Sequence, residues 1–264
     1  VIFPKLFTAA FGKHFRGFRI GGGTITENSE FPFVASLVTN GGTDGRFEHA
    51  CGGTIISSSA ILTAASCFYT GTVLDPVFWW RARVASTYSN TGGVIYILRL
   101  LTVHPDFVLT SLQNDIAVVR TTLALHMQPG VVEAAFITGA ATSLDTFQPV
   151  EAVGWGILNE AEPFYSQQLR HVQFWVVDQT VCANRYAAND IVITDNMVCA
   201  NWLDVSVRAQ CQGDNGGPLL SSPGVVSGVF SRPAACDQTW LPGVNTRVAP
   251  YTRWIVETAT APFA

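Results

Sequence analysis

From Ile20 onward the chain is a succession of short β-branched and aromatic runs cut by turn residues: FPFVASLV, GGTIIS, AILTA, WWRARVAS, GVIYILRLLTV, DIAVVR, QPVEAVGWG, LRHVQFWVV, GPLLSS, VVSGVF and GVNTRV. Runs of this length between Gly, Pro, Asn and Ser predict strands, and many of them at this spacing predict an all-β barrel or sandwich rather than alternating α/β. The last segment, YTRWIVETA, carries Trp254 and Ile255 at helical spacing and predicts a terminal helix over about 251–259. The Pro-Gly turn in MQPGVVE, residues 127–133, predicts a join between two halves, about 20–130 and 131–250. No internal repeat is visible, and no apolar run is long enough to predict a membrane-spanning helix.

Residues 1–19 differ from the rest. They are basic, and Phe3, Phe7, Phe11 and Phe15 recur every four residues, which would align them on one helical face. Such a face could touch a membrane or a partner, but Pro4, Gly12 and Gly17 oppose a helix, and the competing reading is a propeptide. The folded unit is then expected over 20–264. A start at Val1 fits a secreted protein whose signal peptide has been removed.

With 264 residues, 48% of them apolar, the chain can bury a large core as one folding unit. Beyond residue 19 there are eleven arginines, no lysine and nineteen acids, a net charge of −8. An acidic body argues against nucleic acid as a partner. Cations that are all arginine hold their charge at high pH, which hints at an alkaline working compartment; compositional drift is the plainer alternative. The six cysteines, 51, 67, 182, 199, 211 and 236, form no CxxC pair and have no zinc-like spacing. They are read as three disulfides in an oxidising compartment, with fifteen connectivities open. No N-glycosylation sequon, calcium loop or metal constellation occurs, and no cofactor is expected.

Several longer motifs converge: RIGGG, CGGTIISSSAILTAASC, NDIAVVR, VGWG, SQQLRHVQFWVV, ITDNMVCANWLD, CQGDNGGPL and PGVNTRV. From Arg19 to about Thr258 the chain resembles the chymotrypsin-fold serine proteases, most of all the secreted trypsins of moths. The resemblance implies two six-stranded antiparallel Greek-key β-barrels with a short C-terminal helix. It also selects the pairs Cys51–Cys67, Cys182–Cys199 and Cys211–Cys236, and implies a zymogen cleaved between Arg19 and Ile20, with Asp214 receiving the new N-terminal ammonium. Here Ile20 is followed by three glycines, whose backbone freedom must be lost on insertion.

Family chemistry needs a hydroxyl nucleophile, an imidazole base, an orienting carboxylate and paired backbone N–H groups for the oxyanion. The resemblance places the base at Ser66, the carboxylate at Asp115, the nucleophile at Asn215 and the oxyanion hole at Gly213 and Asn215. Serine is no base near neutrality, and an amide is a poor nucleophile. Losing either group in a protease of another fold costs on the order of a millionfold in turnover. Among pocket positions, Ala209 replaces the aspartate that pairs with substrate Arg or Lys. Ser231, Arg232 and Pro233 replace Ser-Trp-Gly, and Gly243 completes the set. Proline has no N–H to donate to a substrate ladder. Of His49, His104 and His171, the first two are read as structural, His49 matching a position that can hydrogen-bond Asp214 in family zymogens.

The chain is therefore expected not to be an enzyme, but a secreted serine protease homologue acting by protein binding, as decoy, cofactor or regulator of proteolysis or immunity. Two readings compete: an endopeptidase of residual or altered activity, and a storage or structural protein on a protease scaffold. The gut lumen, with haemolymph as the alternative, is the expected location, and the partner a protease, inhibitor or immune component.

Overall fold

The computed structural model describes residues 23–158, 164–205, 209–232 and 240–262. The propeptide-like segment, Arg19, Ile20, Pro233 and Cys236 lie outside them. In chain order the strands are β1 Thr24–Ile25, β2 Val34–Thr39, β3 Glu48–Ile55, β4 Ala60–Thr63, β5 Tyr69–Thr70, β6 Val73–Leu74, β7 Trp80–Val84 and β8 Val94–Val103. They continue as β9 Ala117–Thr121, β10 Phe136–Ile137, β11 Pro149–Gly154, β12 Arg170–Val176, β13 Met197–Asn201, β14 Pro218–Ser222, β15 Val225–Arg232 and β16 Gly243–Arg247.

Strands β2-β3-β4-β9-β8-β7 close one antiparallel barrel. Strands β12-β11-β14-β15-β16-β13 close a second through the β12–β13 pairing. Taken in chain order, each barrel follows the same circuit, first-second-third-sixth-fifth-fourth, so both halves share one Greek-key topology. The expected two-barrel fold is the one observed.

The apolar runs explain where the barrels meet. Strand β7 alternates between buried and half-buried residues, as expected of a strand with one inward face. Strands β4 and β9 are buried along their whole length. Ile61, Ala117 and Val119 fill the first barrel around Phe68 and Trp80, whereas Leu62, Ile116 and Val118 face the other way. That second face packs on Trp155, Leu169, Leu220 and Val229 of the second barrel. A strand covered on both faces reads as a continuous apolar run, and this is why ILT and IAVV show no alternation. The seam between barrels is thus a hydrophobic core in its own right.

Two short helices complete the fold. The expected terminal helix is α2, Thr252–Thr260, which inserts Ile255 and Ala259 into the seam. The other, α1 at Gln179–Ala187, was not anticipated from the sequence. Its signal is Asp178, whose carboxylate accepts the Val181 N–H at 3.0 Å as an N-cap. Cys51–Cys67 and Cys182–Cys199 are bonded as the resemblance implied. Cys211 is buried, and its expected partner lies outside the described residues.

Two stability changes follow from these ties. Asp178→Ala removes a helix cap and is expected to lower unfolding free energy by about 1 kcal/mol in denaturant titration; no change would mean that α1 is held by packing alone. Replacing both Cys51 and Cys67 by Ala opens a loop of 16 residues, with an expected cost of about 3 kcal/mol. A loss below about 1 kcal/mol would show that the barrel already restrains this loop.

Candidate active-site cleft

The seam gathers residues that are far apart in sequence. Ser66 follows β4 in a short 3-10 turn, Ala65–Phe68; Asp115 precedes β9; Asn215 precedes β14; Ser231 lies in β15. Asp115 is fully buried, and its carboxylate is shared between the two barrels. Oδ1 accepts the Ser66 N–H at 2.7 Å, while Oδ2 accepts the hydroxyls of Ser66 at 2.8 Å and Ser231 at 2.6 Å. Burial raises the Asp115 pKa, and the hydrogen bonds from Ser231 and Ser66 oppose that rise. The backbone carbonyl of Asp115 is also held, by the Thr246 hydroxyl at 2.9 Å.

Ser66 therefore stands where the resemblance puts the base, but its hydroxyl proton is directed at the carboxylate. Asn215 donates Nδ2–H to the Ser231 carbonyl at 2.7 Å, and its own carbonyl accepts the Gly52 N–H at 2.7 Å. Its amide is tied to the wall of the cleft rather than hydrogen-bonded to Ser66. The Ser66, Asp115 and Asn215 positions are linked through Ser231, and the resulting chain of bonds contains no imidazole.

A second buried carboxylate lies one residue away. Asp214 accepts N–H groups from Gly156 at 2.7 Å and Cys211 at 2.9 Å, and burial pushes its pKa up to about 6 against those two bonds. The VGWG motif makes room for it: a Cβ on Gly154 would stand 2.1 Å from Oδ1, and one on Gly156 would stand 2.3 Å from Oδ2. The sequence contained that motif, but its role as a cradle emerges only from the packing. Gly213 adopts a φ of +94°, a conformation open to glycine and strained for other residues.

His49 does not take the partner expected for it. Its Nε2 donates to the Gly213 carbonyl at 2.9 Å instead of reaching Asp214, whose oxygens are occupied by backbone N–H groups. The single proton of the Ser36 hydroxyl is shared between His49 Nδ1 at 2.7 Å and the Ser89 carbonyl at 3.0 Å. Enclosed by Trp155 and Tyr165, the imidazole has its pKa pushed down to about 4 by burial and is neutral near pH 7. His104 packs edge-on against Tyr251 and Trp254, and His171 donates to Glu151 at 2.5 Å. These three rings brace the fold.

The pocket positions carry no carboxylate. Ala209 is buried in an apolar cluster with Ile157 and Cys211. Gly243 opposes Phe230 and Gln210, and Gln210 accepts from Asn245 at 3.2 Å. Arg232 crosses the cleft: its Nη2 donates to the Ser111 carbonyl, in the loop between β8 and β9, at 3.2 Å. The sequence placed Arg232 in a pocket wall without indicating that it would reach the opposite barrel.

The Trypsin family model matches residues 20–255. "Trypsin, alkaline C" of Manduca sexta is 44% identical over 239 residues, covering 90% of each chain. "Trypsin CFT-1" of Choristoneura fumiferana is 41% identical over the same length and coverage. "Achelase-1" of Lonomia achelous is 40% identical over 216 residues, 81% of this chain and 96% of its own. A solved structure, the scabies mite inactivated protease paralogue S-D1, has the same fold at a TM-score of 0.79 and 23% identity, covering 90% of this chain and 97% of its own. These relatives correct the expectation that the chain is not an enzyme. Chains 40–44% identical over most of its length carry the name trypsin or achelase, and Asp115 and the backbone at Gly213 and Asn215 persist, so two altered side chains do not establish inactivity. By the extent of these matches, the chain belongs to the trypsin family of serine proteases.

Proposed function

We propose that this trypsin-family chain works by binding proteins, as a secreted decoy, cofactor or regulator of proteolysis. One observation carries the reading: at the positions of the nucleophile and the base stand an amide tied to Ser231 and an alcohol tied to Asp115. The first bond lies within the second barrel and the second within the first, and the Ser231 hydroxyl on Asp115 joins the two. The surrounding fold, with its bonded cysteines, is a rigid surface of the kind that preorganised complexes use.

The pocket supports the same reading. Without a carboxylate at position 209, an inhibitor that inserts Arg or Lys loses its charged partner. The location proposed is extracellular, in an alkaline compartment such as a gut lumen. The Manduca sexta relative is named an alkaline trypsin, and the body of this chain carries arginine without lysine. Residues 1–19 are proposed as a basic propeptide and 20–264 as the folded unit. A second reading, an endopeptidase of altered activity, is favoured by the 44% identity to a named trypsin.

Back-substitution separates the two. The double change Ser66→His with Asn215→Ser is expected to gain covalent labelling by a fluorophosphonate probe, whereas each single change gains none, because nucleophile and base act as a unit. Stoichiometric labelling of the unaltered chain, mapped to a residue such as Ser66, would replace the binding reading with the altered endopeptidase. In parallel, inhibitors that present a basic residue are expected to bind more weakly than about 1 μM by calorimetry. Nanomolar capture would show that position 209 does not govern recognition.

A further inference from the structure

Arg232 is the last residue of β15, just beyond a register shift between Phe230 and Arg232 where the strand pairs with β16. The preceding residue, Ser231, holds both Asp115 and Asn215. Arg232 thus follows directly on the residue that links two of the catalytic positions, and its guanidinium reaches the other barrel at Ser111, 121 residues away. It is half-buried. Its hydrogen-bond acceptor is a backbone carbonyl, and the nearby Tyr186 hydroxyl is engaged with the Pro242 carbonyl at 2.5 Å.

Among the described residues the ion pairs are His171–Glu151, Arg185–Asp204 and Arg253–Glu257; Arg232 is in none of them. Asp115, the carboxylate bonded to the adjacent serine, is turned inward and saturated by Ser66 and Ser231. A guanidinium has five N–H donors arranged as a planar fork that matches a carboxylate with two parallel bonds. Leaving that fork on one neutral carbonyl, in an otherwise acidic chain, makes it a local positive pole at the seam between the barrels.

We propose that the cleft takes an anionic peptide group, a carboxylate docked on Arg232. This rests on the protein-binding reading above and specifies its chemistry. An acidic partner gains a bidentate contact that competes with or adds to the Ser111 carbonyl. A basic partner meets a cation at position 232 and finds no carboxylate at position 209. Arg232 then favours acids, and Ala209 offers no carboxylate to the basic side chains that trypsins hold.

Calorimetry on the full chain tests this with three short peptides. The first is amidated and carries Glu and Asp, the second is its Gln and Asn counterpart, and the third is neutral with a free C-terminal carboxylate. The acidic peptide is expected to bind at least about tenfold more tightly than its amide counterpart, with affinity falling as salt rises from about 50 mM to about 0.5 M. Binding by the third peptide would identify a chain-terminal carboxylate as the source; preference for the first identifies side chains. Arg232→Gln, with an unchanged melting temperature, is expected to abolish the preference, and Arg232→Lys to retain part of it because a point charge cannot fork. Equal affinity for acid and amide peptides, no detectable binding by any peptide with a carboxylate, or undiminished binding by Arg232→Gln overturns the proposal. A protein complex that survives Arg232→Gln would leave the binding reading standing and remove only this one.

Discussion

The buried carboxylate of Asp115 is the constraint around which the rest of the cleft is arranged. An acid with no solvent exposure must be supplied with donors, since an unpaired buried charge costs several kcal/mol. Here the donors are Ser66 from one barrel and Ser231 from the other, so the requirement to satisfy one side chain also fixes the two barrels against each other. Ser231 passes the constraint on by accepting from Asn215, and Arg232, the next residue, extends it across the cleft to Ser111.

Placement of the carboxylate depends in turn on the seam. Strands β4 and β9 are apolar on both faces, one face for their own barrel and one for the neighbour, and Ser66 and Asp115 sit at the ends of those strands. At the end of this dry interface Asp115 and Ser231 are buried, which strengthens the hydrogen bond between them and makes a missing partner expensive. Asp214 shows the same economy nearby. Glycines at 154 and 156 leave room for its carboxylate, and backbone N–H groups from Gly156 and Cys211 meet it. His49 is thereby directed to the Gly213 carbonyl.

Much of this was legible in the sequence, for identifiable reasons. Strand periodicity and turn residues are local, so an all-β fold and the terminal helix could be read directly; the family resemblance supplied the two barrels, and its long motifs located Ser66, Asp115 and Asn215. Helix α1 was missed because its nine residues are dominated by the surrounding strand pattern, although Asp178 before Gln179 is a readable cap. The common topology of the two barrels leaves no visible repeat, because the circuit of hydrogen-bonded strands can persist without sequence likeness. The partners of His49 and Arg232 were not legible. Both bonds span more than a hundred residues and depend on which acceptors the packing leaves open. Activity was the reading that the relatives corrected: a motif shows which atoms are present, and family membership concerns the whole chain.

A double-mutant cycle on Ser66 and Ser231 tests the central claim most directly. If the two hydroxyls jointly satisfy Asp115, then Ser66→Ala and Ser231→Ala should be coupled in unfolding free energy by about 1 kcal/mol or more, since the second removal leaves the buried oxygen without either hydroxyl. Additivity within about 0.3 kcal/mol would contradict it, showing that the carboxylate is satisfied independently of this pair and that the cleft is organised around some other interaction.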